Sequence, residues 1–164
     1  MIADALIPEL KHEYASTRKI LERVPFESLN WKPHEKSMTL GKLASHVATI
    51  PHWLVDIISS EEFDFLKRNY SVPEFNSSQE MLTEFDRLTT KAIVDLQKTS
   101  DEKLRKQWTF RRGEHIILSL PKVVAIRSMS ISHLIHHRGQ LSVYLRLLNV
   151  AIPGMYGPSA DEPM

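Results

Sequence analysis

The chain contains no cysteine among its 164 residues. The fold therefore has no disulfide, and no protein thiolate can act as a nucleophile or as a metal ligand. Any sulfur nucleophile would have to arrive as a cosubstrate.

The chain also lacks an excess of either charge and any long apolar run. It has 21 basic and 20 acidic residues and a formal net charge of +1, without the clustered basic surface typical of nucleic-acid-binding proteins. No stretch approaches the roughly 20 apolar residues that cross a bilayer. The N-terminus lacks the basic start and apolar run of a signal peptide. We therefore expect no nucleic-acid partner, no membrane span and a cytoplasmic location.

Apolar periodicity predicts four long helices in a single domain of residues 1–164. Pro51 should kink the second helix because it removes one backbone donor. Ser77 and Glu80 match a capping box at the start of the third, and Ser119 is predicted to cap the fourth. The predicted helices cover residues 2–24, 39–58, 77–96 and 119–149.

The connections are less regular than the helices. Residues 61–76 form a mixed segment in which we expect a short helix. Two apolar triplets, 108–110 and 116–118, flank a turn that contains Gly113, which predicts a small hairpin before the last helix. The overall prediction is an all-α fold, a four-helix bundle with long connections and this hairpin.

Three histidines occur within five positions of the fourth predicted helix. His133 and His137 are four residues apart and therefore point the same way from a helix. Gln140 and Tyr144 share their stripe, and His136 lies at its edge. Because imidazole is the commonest metal ligand among side chains, this stripe is a candidate metal site.

A third ligand is predicted on the second helix. His46 shares a helical face with Ile50, Trp53 and Ile57, so it should point into the core. A single histidine on such a face is usually a packed core residue, but two inward-facing sets on different helices favour a metal site. The predicted ligands are His46, His133 and His137. Surface or loop positions are expected for the other histidines, His12, His34, His52 and His115.

Candidate catalytic residues are Glu13, Tyr144 and Gln140, with Glu13 at the edge of the apolar face of the first helix. A metalloprotease of the His-Glu-x-x-His type is excluded because Leu134 stands where the glutamate base would be. We expect Arg138 to form a structural ion pair and Gly139 to permit a close helix contact.

Three segments resemble the DinB-like family of bacterial four-helix metal proteins. The first starts at His133 and reads His-Leu-Ile-His-His-Arg-Gly-Gln-Leu-Ser-Val-Tyr-Leu-Arg-Leu-Leu. The others are residues 31–46 and the tail, residues 152–159. The resemblance extends over nearly the whole chain. It implies a bundle with long crossover connections, often a homodimer, with a divalent metal, often nickel or zinc, on the positions of His46, His133 and His137.

The resemblance also bears on activity. Characterised relatives include transferases and isomerases that act with low-molecular-weight thiols such as bacillithiol, mycothiol or glutathione, whereas most members have no assigned reaction. The resemblance therefore implies a small-molecule substrate without naming the reaction.

Two functions of different kinds follow from a three-histidine site. One is a metal-dependent enzyme, a thiol S-transferase or a hydrolase of small electrophilic molecules. The other is a non-catalytic, stress-related metal-binding protein. An enzyme should keep a ligand position open, whereas a structural site should be closed by a fourth protein ligand, for which His136 is the nearest candidate. Imidazole suits zinc, nickel, copper and iron alike.

Overall fold

The computed structural model describes residues 1–68 and 71–163. Its α-helices are α1 (Ile2–Leu21), α2 (Leu40–Thr49), α3 (His52–Ser59), α4 (Ser78–Gln97), α5 (Asp101–Arg105), α6 (Lys122–Ile126) and α7 (His133–Leu147). Its strands are β1 (Glu62–Asp64), β2 (Gln107–Arg112) and β3 (His115–Pro121).

The long helices pack as the apolar periodicity predicts. Helices α1 and α2 each contact both α4 and α7, and the buried apolar side chains of all four meet in one core. Helix α4 begins as predicted, since the Ser77 hydroxyl accepts a hydrogen bond from the Glu80 amide at 3.1 Å. The Glu80 carboxylate accepts from the Asn76 amide at 2.9 Å, one residue earlier than in a standard capping box.

The prediction of an all-α fold is wrong. The chain is mostly helical but also forms a three-stranded mixed sheet in the order β1-β2-β3. The β2–β3 hairpin was expected, whereas the parallel pairing of β1 with β2, with Phe63 opposite Phe110, was not. A three-residue strand that pairs far along the chain leaves no periodic pattern to detect. The mixed segment predicted at residues 61–76, in which we expect a short helix, therefore starts with strand β1. Residues 69–70 of this segment lie outside the described residues.

Aromatic packing fixes the sheet against α3. The ring centroid of Trp53 lies 4.9 Å from that of Phe63 and 5.6 Å from that of Phe110. Trp53 is only 3% exposed, so it fills the core between helix and sheet.

The second and fourth predicted helices are both interrupted. Pro51 separates α2 from α3. The predicted cap at Ser119 is wrong because Ser119 belongs to β3, opposite Thr109, and α6 starts only at Lys122. A π-helix, residues 127–132, then joins α6 to α7.

Lys122, the first residue of α6, connects this helix to the end of α3. Its side chain is fully buried, and its ammonium donates hydrogen bonds to the carbonyls of Ile57, at 2.8 Å, and Ser60. A cation at the C-terminus of a helix satisfies carbonyls that have no partner within the helix.

None of the helices in the described part of the chain combines the length and apolar character that a membrane span requires.

Substitution of two glycines by alanine should change stability in opposite directions. Gly113, in the hairpin turn, has φ +59, and an added Cβ would lie 3.0 Å from Leu66 Cδ1. Gly139 lies inside α7 with nothing within 4 Å of an added Cβ, so the expected close helix contact is wrong. Gly113→Ala should destabilise the metal-free protein by about 1 kcal/mol, and Gly139→Ala should stabilise it by up to about 1 kcal/mol.

Urea unfolding of the two variants beside the parent protein measures both effects. Equal changes of the same sign would contradict the backbone argument.

Candidate metal centre

Packing of α2 against α7 brings the three predicted ligands together. The ring centroid of His46 lies 4.9 Å from that of His133 and 4.6 Å from that of His137, and the last two lie 4.7 Å apart. One nitrogen from each of the three rings falls within 4.8 Å of the other two. The trio therefore forms a group that could hold a metal ion.

Hydrogen bonds fix the orientation of the two histidines on α7. His133 Nδ1 lies 3.3 Å from the Met129 carbonyl, and His137 Nδ1 lies 2.7 Å from Gln140 Oε1. Both partners accept hydrogen bonds, so these contacts favour the tautomer with the proton on Nδ1 and a lone pair on Nε2. Metal-binding histidines commonly show this arrangement, in which an outer partner sets the tautomer.

The π-helix before α7 contributes one of these partners. The backbone amide of His133 donates to the Ser130 carbonyl, and the carbonyl of Met129, one residue earlier, faces the His133 ring. π-helical segments inside α-helices frequently occur at functional sites. Here the segment supplies a backbone acceptor beside the candidate ligand.

Burial keeps the three imidazoles neutral. Desolvation, aided by the nearby His137 and His133, lowers the pKa of His46 to about 4. Desolvation also lowers the pKa of His133 and of His137, with smaller contributions from neighbouring histidines. Because only neutral imidazole can coordinate a metal, this environment holds the group in its binding form near neutral pH.

The spacing of the nitrogens fits a divalent ion. His46 Nε2 lies 3.1 Å from His133 Nε2. Two nitrogens at 2.0–2.1 Å from a tetrahedral ion would be about 3.3 Å apart. No other histidine or carboxylate of the described residues joins the group. In particular His136 is exposed and stays outside it, although its ring centroid lies 4.7 Å from that of His137.

The three catalytic candidates occupy different surroundings. Gln140 touches the site directly through His137. Tyr144 stacks edge-on against Trp31, with centroids 5.7 Å apart, and its hydroxyl donates to the Met38 carbonyl at 3.2 Å. Tyr144 therefore positions the segment that leads into α2.

Glu13 belongs to a separate polar cluster. It is buried and pairs with Arg138 at 2.7 Å, which confirms the predicted ion pair of that arginine. The Tyr156 hydroxyl donates to the Glu13 carboxylate at 2.8 Å, and Arg138 also donates to the Glu13 carbonyl at 3.0 Å. The structure thus places Glu13 in a link between α1, α7 and the C-terminal tail.

A cavity of about 280 Å³ opens beside His46. Apart from His46, sequence reasoning missed the residues that form it. Lys42 could have been found, since it precedes His46 by one helical turn on the same face, and Ser45 is the residue directly before His46. The irregular segment Val72–Glu74 carries no such signal. The lining comprises Met38, Lys42, Ser45, His46, Val72, Pro73 and Glu74.

The remaining histidines lie elsewhere. His12, His34 and His115 are exposed, as expected. His52 is half-buried in α3 and lies 3.3 Å from an Asp56 carboxylate oxygen.

Fold and site together define a mostly helical protein with a three-histidine group between two packed helices. A model of the DinB family matches residues 3–164, and the chain belongs to this family. Two curated relatives come from Bacillus subtilis. The uncharacterized protein YrdA is 27% identical over 165 residues, which cover 97% of this chain and 90% of YrdA. The uncharacterized protein YjoA is 26% identical over 136 residues, 79% of this chain and 80% of YjoA.

Solved structures show the same fold. A DinB-like protein from Bacillus cereus superposes with a TM-score of 0.69 at 24% identity, covering 93% of this chain and 97% of the other. The DinB-like protein YjoA from Bacillus subtilis gives a TM-score of 0.71 at 20% identity, covering 92% and 97%.

Removal of one ligand should abolish tight metal binding. After equilibration with zinc or nickel, the parent protein should hold one equivalent, measured by elemental analysis. His46→Ala and His137→Ala should bind more than about 100-fold more weakly, since losing even an outer hydrogen-bond partner costs 10–100-fold. His136→Ala is the matched control and should bind like the parent protein. Full occupancy in either ligand variant would refute the three-histidine assignment.

The metal-free protein should lose stability in acid. An unfolded histidine takes up a proton near pH 6.5, whereas His46 in the folded protein resists protonation down to about pH 4. The unfolded state therefore binds more protons between these values, and the free energy of unfolding falls as the pH drops through this window. For the half-buried His46 we expect a loss of about 1–2 kcal/mol.

Urea unfolding with a chelator at pH 7.0, 5.5 and 4.5 tests this expectation. His46→Gln should reduce the slope, and His115→Gln, at an exposed position, should leave it unchanged. A parent slope identical to that of His46→Gln would contradict the assignment.

Proposed function

We propose that this protein is a metal-dependent enzyme that transfers a low-molecular-weight thiol to a small electrophilic molecule. The observation that carries the proposal is the open side of the histidine group. Among the described residues no fourth protein ligand closes it, and a cavity reaches His46. A purely structural metal site is normally closed by four protein ligands.

His46, His133 and His137 would hold the ion in this proposal. A divalent ion there would supply Lewis acidity, which would lower the pKa of a thiol or a water on the open side. Gln140 and the Met129 carbonyl hold the rings of His137 and His133 in the required tautomer. The apolar side chains of Met38, Val72 and Pro73 border the cavity.

A thiol is favoured over water as the nucleophile. A free thiol has a pKa of about 8.5, whereas that of water is 15.7. The carboxylate of Glu13 is engaged by Arg138 and Tyr156, and no other carboxylate joins the histidine group among the described residues. A thiol can lose its proton to solvent without a dedicated base. Since the chain has no cysteine, the thiol comes from a cosubstrate. Hydrolysis of a small electrophile is the second candidate, because water can enter the same open side.

A thiol assay tests the proposal. The metal-loaded protein should accelerate the reaction of a thiol with monochlorobimane, in which a carbon–sulfur bond forms, chloride leaves and the thiol proton passes to solvent. We expect a gain of about 15-fold at pH 7, the increase in thiolate fraction when a thiol pKa falls from about 8.5 to about 7. The fluorescence of the product gives the rate.

The controls distinguish an enzyme from a non-catalytic metal-binding protein. His136→Ala should keep the rate, whereas His137→Ala and the metal-free protein should fall to background. If every thiol reacts only at background with the fully loaded protein, the transferase proposal fails. Turnover of an ester under the same conditions would then indicate a hydrolase, and its absence would indicate a non-catalytic metal protein.

A further inference from the structure

A second cavity, of about 570 Å³, adjoins the one beside His46. The two cavities share three lining residues, Lys42, Ser45 and Glu74. All three are polar, whereas Met38, Val72 and Pro73 give the first cavity an apolar wall. A ligand at His46 in the first cavity therefore has both an apolar border and one cation, one hydroxyl and one anion around it.

None of these three side chains has a partner within the described residues. Ser45 is only 6% exposed, yet no protein group hydrogen-bonds its hydroxyl in residues 1–68 and 71–163. Lys42 and Glu74 are exposed, and across the same residues neither makes an ion pair within 4 Å. Because Ser45 lines both cavities, its hydroxyl faces space that a ligand can enter and is free to hydrogen-bond with a polar group there.

Helical geometry sets the length of the ligand. Lys42, Ser45 and His46 occupy positions i, i+3 and i+4 of α2 and so share one face. The Cα atoms of Lys42 and His46 are about 6 Å apart along the axis. A small molecule of a few bonds can therefore reach from the His46 ring to the Lys42 ammonium.

The charges decide which end group fits. A ligand with only a carboxylate would meet the repulsion of Glu74, and one with only an ammonium would meet that of Lys42. A group that carries both charges is attracted by both residues, and it can also hydrogen-bond to the Ser45 hydroxyl. An amino-acid end group has this composition.

We propose that the thiol cosubstrate carries an amino-acid end group, with its carboxylate at Lys42, its ammonium at Glu74 and its sulfur towards His46. This inference rests on the proposed function and adds the substrate class. The side chain between sulfur and end group lies along Met38, Val72 and Pro73. Lys42, Ser45 and Glu74 are specificity residues that touch the substrate away from the reacting sulfur.

Three thiols of equal chain length test the inference without any turnover. Homocysteine carries both charges, 4-mercaptobutyrate lacks the ammonium and 3-mercaptopropylamine lacks the carboxylate. Their dissociation constants for the zinc-loaded protein, without an electrophile, can be measured by isothermal titration calorimetry. Homocysteine should bind about fivefold more tightly than either analogue, the range of one exposed ion pair.

Variants should remove one preference at a time. Lys42→Gln should abolish the advantage of homocysteine over 3-mercaptopropylamine, and Lys42→Arg should restore it. Glu74→Gln should abolish the advantage over 4-mercaptobutyrate. Lys11→Gln and Glu114→Gln, which change the same charges at exposed positions that line neither cavity, should leave both preferences intact.

Equal affinities for the three thiols, no binding of any of them, or a uniform weakening of all three by Lys42→Gln would overturn the inference. The fluorescence assay decides the proposed function separately. Turnover without this binding preference would refute only the proposed amino-acid end group. The binding preference without turnover would refute only the proposed transferase activity.

Discussion

The packing of α2 against α7 is the contact on which the candidate site depends. It joins His46 to His133 and His137, which come from opposite halves of the chain. Three imidazoles must lose part of their hydration to meet there, and burial lowers the pKa of each. The bundle core therefore offsets the cost of bringing three neutral bases together. A metal cation between the three rings would be coordinated by the nitrogen lone pairs that stay unprotonated because of this desolvation.

A second polar cluster stabilises the far side of α7. Arg138 and Glu13 are almost completely buried, and their ion pair is completed by hydrogen bonds from Arg138 to the Glu13 carbonyl and from Tyr156 to its carboxylate. A buried pair is tolerated only when its remaining groups are satisfied in this way. In this cluster the role of Glu13 is structural. The Glu13 carboxylate is therefore engaged by Arg138 and Tyr156 and does not join the histidine group.

Much of the fold was predictable because it is local. The cap at Ser77 and the β2–β3 hairpin with Gly113 each depend on a few neighbouring residues. Strand β1 and the true start of the fourth helix depend on distant partners instead. Phe63 pairs opposite Phe110, and β3 extends to Pro121 because its ladder with β2 continues that far. Such pairings compete with local helix signals and can override them.

The sequence by itself determined the three candidate ligands and the faces on which they lie, because helical spacing converts positions into directions. It also determined that any thiol must come from outside the chain. Only the tertiary structure decided that the histidine group stays open beside a cavity and that Glu13 forms an ion pair with Arg138. It also brought Val72–Glu74 from an irregular segment to face α2. Those features depend on which surfaces meet in space, and no periodic pattern along one segment contains that information.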